Sequence, residues 1–150
     1  MRALTEQAVI KATTGAVWTV LADFGRVDRW APNMKSCQLI GKKETGIGTR
    51  RKMRHAWGFQ FEEVVTGWAE GAGISFNVLR APFPMIRVNE SWAIRQNGCG
   101  TRVVTRVEYD MNLGLLGRLL DWQLVRFIVR REMKAGLRGL SRLLEEQPAD

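Results

Sequence analysis

Four side chains in the middle of the chain have the types and spacing to do chemistry: Arg51, His55, Glu63 and Glu90. Residues two apart share one face of a strand. Arg51 and His55 therefore fall on one side of "TRRKMRHAW" with Met53 and Trp57, and Glu63 falls with Phe59, Phe61 and Val65 in "FQFEEVV". Glu90 shares its side with Val88, Trp92 and Ile94. A carboxyl set among apolar neighbours is desolvated, which raises its pKa and fits it to give or take a proton. Such a group could serve an aldol-type cyclisation or a dehydration, with Arg51 orienting an enolate or carboxylate. The same residues also admit a plainer reading, in which Arg51 neutralises Glu63 or Glu90 as a buried ion pair. Histidine changes charge near neutrality, so His55, the only one in the chain, is either a candidate base or a rim residue beside Trp57.

A second mixed surface appears late in the chain. In "GTRVVTRVEYDM" one side carries Arg102, Val104, Arg106, Glu108 and Asp110, and the other carries Thr101, Val103, Thr105, Val107, Tyr109 and Met111. The second side is apolar apart from two threonines and the chain's only tyrosine. Thr105 and Tyr109 are therefore candidate ligand contacts, the phenol being able to bond a ligand carbonyl or to be satisfied by water or backbone. Trp30, Met53, Phe61, Phe76, Val78, Trp92 and Phe127 are candidate walls of the same hollow, or simply core.

The elements that must position these groups follow from periodicity and breakers. Residues 4–11 read as a strand. In the next segment Thr13 or Thr14 can cap a helix whose apolar positions are Val17, Val20, Leu21 and Phe24. Gly25 is expected to end that helix, and a short second one carries Val27 and Trp30 before Pro32. Strands are expected at 35–42, 48–57, 59–69, 73–80, 87–96 and 101–111, with breaks at "ETGIG", "WGF", "EGAG", "APFP" and "NGCG" short enough for antiparallel hairpins. A long helix then runs from about 115 to 146. Its second half has one apolar face of Met133, Leu137, Leu140 and Leu144, with Gly136 allowing close approach, and a basic stripe of Arg131, Lys134, Arg138 and Arg142. Its first half, with Leu116, Leu119, Leu120, Trp122, Leu124, Val125, Phe127, Ile128 and Val129, is apolar nearly all round and is expected to be covered on more than one side. A curled seven-stranded antiparallel sheet closed by one long helix leaves a hollow between them, and apolar walls with a few convergent polar groups suit a small-molecule pocket.

At 150 residues the chain suits a single domain spanning 1–150, large enough to bury its own core. No apolar run approaches the roughly 20 residues of a membrane-spanning helix, and "MRALTEQAVIKATTG" lacks the features of a secretory signal, so a cytoplasmic location is expected. Cys37 and Cys99 lack metal-ligand spacing and, with one histidine, fall short of a zinc set. Free thiols, no metal and no cofactor are the expectation. The net charge of +8 favours acidic partners. No nucleic-acid-binding motif accompanies it, which leaves an anionic membrane surface or an acidic ligand, with the loop "LRAPFPMIR" as a possible apolar entrance tip bracketed by Arg80 and Arg87. Monomer and homodimer are both compatible with the pattern.

The order of elements, with "ATTGAVWTVLADFGRVDRWAPNM", "GIGTRRKM", "FEEVVTGW", "GTRVVTRVEYDM" and "LLGRLLDWQLVRFIVRREMKAGLRGLSRLLE" in sequence, resembles the polyketide cyclase/dehydrase family. That family lies within the superfamily of START lipid-transfer domains and birch-pollen-allergen-like proteins. The resemblance covers nearly the whole chain. It implies an α+β helix-grip fold with a β-α-α-β6-α order and a pocket for a hydrophobic small molecule such as a lipid, a quinone or an aromatic polyketide-like compound. It leaves open whether the pocket only binds or also catalyses cyclisation or dehydration, since fold does not carry a reaction with it.

Overall fold

The computed structural model describes residues 2–112 and 114–146. Seven strands form one antiparallel sheet: β1 (Arg2–Ile10), β2 (Met34–Ile40), β3 (Arg50–His55), β4 (Gln60–Ala69), β5 (Gly73–Arg80), β6 (Met85–Asn97) and β7 (Gly100–Met111). Its order is β1-β7-β6-β5-β4-β3-β2, so β2 to β7 form a meander and the first strand closes against the last. The breaks read from the sequence all fall at the strand junctions, two of them overlapping strand ends by a residue, and the ends differ from expectation by a few residues, as at β1, which starts at Arg2 and stops at Ile10.

Between β1 and β2 lie helix α1 (Thr14–Ala22) and a 3₁₀ segment (Phe24–Arg29). Of the two candidate caps it is Thr13 that acts, its hydroxyl accepting from the Ala16 N–H at 3.1 Å. The helix stops at Ala22, before the expected Gly25, because Asp23 leaves helical geometry and the chain continues as the tighter turn.

Inward parity is as the alternation predicts. Arg51, Met53 and His55 are buried on β3, Glu63 and Val65 on β4, Ile74 and Phe76 on β5, and Val88, Trp92 and Ile94 on β6. Register brings these groups opposite one another, with Arg51 facing Glu63 and Met53 facing Phe61. The main core is Ile10, Val17, Leu21, Phe24, Trp30, Trp92, Val103 and Leu140 with their neighbours.

The closing helix is interrupted. α2 (Gly114–Leu120) passes through a single π turn (Asp121–Val125) into α3 (Arg126–Glu146). Met133, Leu137, Leu140 and Leu144 of α3 are all buried, each contributing about 1.5–3 kcal/mol through its apolar area. Close approach is fixed at Gly139, where a Cβ would lie 1.8 Å from the Trp30 carbonyl oxygen. Any side chain there would push the helix away from the end of the 3₁₀ segment. Gly136 sits over the edge-to-face pair of Trp30 and Trp92, whose rings are 5.2 Å apart. At its outer side α3 is tied to β1 by Arg130 Nη1 donating to Glu6 Oε1 at 2.6 Å.

The first half of this helix corrects an expectation. It is not covered all round: Leu115, Leu116, Leu119, Leu124 and Phe127 are exposed, while Val125 and Val129 pack inward. The side chain of Trp122 lies outside the described ones. The π turn is anchored by buried Asp121, which accepts from the Tyr109 hydroxyl and pairs with Arg2 Nε.

Candidate functional site

The sheet, the 3₁₀ segment and α3 enclose a cavity of about 220 Å³. It exceeds the ~150 Å³ void that holds a benzene-sized guest and lies just below the ~300–1,000 Å³ of drug-sized sites. Its walls are mostly apolar: Leu21, Phe24, Val27 and Trp30 from the helical segments, Met53 and Phe61 from β3 and β4, Ile74, Phe76 and Val78 from β5, and Val88 and Trp92 from β6. Val107 comes from β7, and Ile128, Val129, Met133 and Gly136 close the cavity from α3.

Polar groups enter at two ends. At the inner end Arg51 is pinned by Glu63, with Nε and Nη2 at 2.6 and 2.5 Å from Oε2. Its Nη1 donates to the Phe24 carbonyl at 3.0 Å, and its guanidinium stacks 3.8 Å from the Phe24 ring centre and 4.9 Å from that of Phe76. Stacking and hydrogen bonds together make a dry arginine tolerable. Burial raises the Glu63 carboxyl, and the charge and hydrogen bonds of Arg51 act against that rise.

Glu90 has no such partner. It lines the same cavity and retains some accessible surface. Its Oε1 accepts from the Trp92 indole N–H at 2.7 Å. Burial first, and the neighbouring charge of Glu63 second, push its carboxyl up to about 7, with the indole and Arg51 opposing. Two carboxyls near one guanidinium cannot both ionise cheaply in a dry site, so the one without the cation holds its proton to higher pH. The inner end thus presents a fixed cation beside a carboxyl that donates a hydrogen bond when protonated.

The outer end is built around Glu132 of α3. Its Oε1 accepts from Asn33 Nδ2 at 3.0 Å and its Oε2 lies 3.2 Å from His55 Nε2. The other ring nitrogen, Nδ1, accepts the Trp57 backbone N–H at 3.1 Å, which assigns the ring proton to Nε2 and directs it at Glu132. Both nitrogens of His55 are thereby engaged. Neither is aimed at the cavity as a base, and the ring is buried rather than on the rim. The β3–β4 hairpin that carries this arrangement turns at Gly58, whose φ of +92° suits glycine. Trp57 and Phe59 flank it at the mouth, both exposed.

Of the residues singled out in the sequence, Trp30, Arg51, Met53, His55, Phe61, Glu63, Phe76, Val78, Glu90 and Trp92 are brought together on this wall. Three are not. Tyr109 is fully buried beneath the π turn with its hydroxyl spent on Asp121; burial and that contact raise its pKa. Thr105 is fully buried farther along the same face of β7, with its hydroxyl unpartnered by protein. Phe127 points outward because Ile128 and Val129 take the cavity-facing positions of that turn. The question raised by the mixed face of β7 has a structural answer, with Thr101 bonded to the Ala12 carbonyl at 2.8 Å and Tyr109 to Asp121.

Glu132 and Asn33 escaped the sequence reading. A signal existed for Glu132, the only acid between residues 122 and 144, lying beside Met133 on the inward stripe. Asn33 carries none, since its role comes from a partner 99 residues away. The indole nitrogen of Trp30 is buried without a protein partner, a donor that a water could complete. Cys37 and Cys99 are free thiols. Among the described residues no cluster of potential metal ligands forms, and no helix is long and apolar enough to cross a membrane.

Comparison with known proteins agrees with this architecture. The family model described as "Polyketide cyclase / dehydrase and lipid transport" matches residues 1–145. No curated protein sequence matches the chain. Among solved structures, a START superfamily protein from Mycobacterium smegmatis superposes with a TM-score of 0.78 at 13% identity, covering 96% of this chain and 97% of its own. A protein from Thermus thermophilus gives 0.78 at 20% identity, covering 97% and 100%. The di-domain ARO/CYC protein BexL, from the BE-7585A biosynthetic pathway, gives 0.81 at 18% identity and covers 98% of this chain, which spans 51% of BexL. At these identities the likeness establishes the fold.

Proposed function

The chain belongs to the polyketide cyclase / dehydrase and lipid transport family, and we propose that it holds a hydrophobic small molecule, such as a lipid, a quinone or an aromatic polyketide-like compound, between sheet and C-terminal helix. The observation that carries this reading is the inner end of the cavity. An apolar-walled hollow ends in a stacked arginine and a carboxyl whose proton is held up to about pH 7, groups suited to a carbonyl or carboxylate oxygen. Apolar walls supply affinity and the donors supply orientation. The test is uptake of Nile red by the protein and by Ala81→Trp, which adds bulk at the partly open mouth. The variant is expected to fold normally and lose dye binding at least tenfold; unchanged binding would place the dye elsewhere.

A second reading rests on Glu90 itself. A carboxyl that titrates at about 7 inside a dry pocket is matched to general acid–base work near neutral pH, which supports cyclisation or dehydration of a bound carbonyl compound. Glu90→Gln then keeps ligand affinity and loses turnover. A cytoplasmic carrier and a cytoplasmic enzyme remain the two forms of the same proposal.

Access has its own support. Trp57, Phe59, Phe83 and Phe127 are exposed on segments that border the mouth, and the Asn112 N–H bonds the Pro84 carbonyl at 2.8 Å, placing the Phe83 tip beside the start of α2. With a net charge of +8, this apolar rim suits contact with an anionic membrane surface. Pairing with a second copy is the competing use of the same rim.

A further inference from the structure

The cavity has an electrical direction that the binding proposal does not by itself require. Arg51, Met53 and His55 lie on one face of β3, so the strand positions that carry the two polar ends are about 13 Å apart at ~3.3 Å per residue. Met53 and Phe61 fill the wall between them. The inner end offers donors. Arg51 has donor capacity left on its terminal nitrogens after serving Glu63 and Phe24.

The outer end is the opposite. Asn33 gives a side-chain N–H to Glu132, and its backbone carbonyl takes the Ala56 N–H at 2.8 Å. His55 is committed at both nitrogens. Acceptor capacity remains on Glu132: each of its carboxylate oxygens has a further lone pair, and its side chain, 30% exposed, lines the cavity.

We propose that Glu132, held in place by Asn33 and His55, accepts a hydrogen bond from a hydroxyl or amine at the outer end of the ligand, so that the cavity selects elongated apolar molecules with an oxygen acceptor at one end and a donor at the other. This rests on the binding reading above and narrows its ligand class. Molecules with one polar end satisfy only the inner pole. Molecules with two, spaced by an apolar body of matching length, satisfy both.

Decanoic acid and its derivative hydroxylated at the far carbon form a matched pair of probes, with binding measured calorimetrically to the protein, to Glu132→Gln and to Asn33→Ala. The protein is expected to prefer the hydroxylated acid by about tenfold, the effect of one hydrogen bond to a charged group. Glu132→Gln should bring the ratio near one. Asn33→Ala, which loosens the clip but keeps the carboxylate, should retain the preference; a purely structural Glu132 predicts equal losses for both probes. Should Glu132→Gln fail to fold, the Asn33 side-chain amide signals of the unaltered protein decide, shifting with the hydroxylated probe alone. Binding of both acids with equal affinity overturns this inference and leaves the binding reading intact. Binding of neither overturns both.

Discussion

Two buried ionic clusters in this molecule look alike and differ in one respect. Beneath the π turn, Asp121 is closed on both sides, by Arg2 and by the Tyr109 hydroxyl. In the cavity, Arg51 and Glu63 are closed on each other in the same manner, but Glu90 stands beside them with no cation of its own. The first cluster is complete and faces packed side chains. The second has a surplus carboxyl and faces a hollow. Satisfaction marks a structural clamp, and under the proposed function the excess group marks where the ligand's polar end is received.

The sharpest way to break the comparison is to remove Arg51. Arg51→Met leaves Glu63, 4% exposed, without its cation, and is expected to destabilise the fold by about 3–5 kcal/mol at neutral pH. Urea unfolding measures it, and the loss should shrink in acid, where Glu63 takes up a proton.

Glu90→Gln should act in the opposite direction. A folded pKa of about 7 against an ordinary 4.5 means that the native state binds more protons through that window. Stability of the unaltered protein therefore falls as pH rises from about 4.5 to about 7, and the full deficit, at most about 3 kcal/mol, persists above it. The variant lacks that decline, so the two unfolding midpoints should coincide below about pH 4 and separate progressively up to about pH 8, with the variant more stable. Parallel profiles would mean that Glu90 is ordinarily ionised.

The smallest effect is expected at the closed cluster. Tyr109→Phe removes one of two partners from Asp121 and should lower stability by about 1–2 kcal/mol, without changing ligand affinity. A change in affinity would show that the π turn and the cavity are coupled.

The inward faces of β3 to β6 were legible in the sequence because each alternates cleanly between glycine or proline breaks. The Arg51–Glu63 pair was legible as one of two options, since parity put both inside but only register set them opposite each other. Tyr109 was read onto the right face and given the wrong neighbour. Alternation tells which side of a strand is covered, and here the cover is a helix whose Asp121 is brought over β7 by the turn after Met111. Phe127 failed for a related reason: where a helix is apolar nearly all round, periodicity cannot choose its buried face. The outer pole was not assembled from the sequence, although His55 was singled out there, because it joins three segments through contacts 77 and 99 residues apart.

The central claim is that the cavity is made to be occupied. Native mass spectrometry of the protein purified from its own source, followed by identification of what denaturation releases, tests it most directly. The account predicts one apolar molecule per chain, bearing an oxygen that can face Arg51 and Glu90 and absent from Ala81→Trp. A protein that is uniformly empty and binds no apolar probe would contradict it.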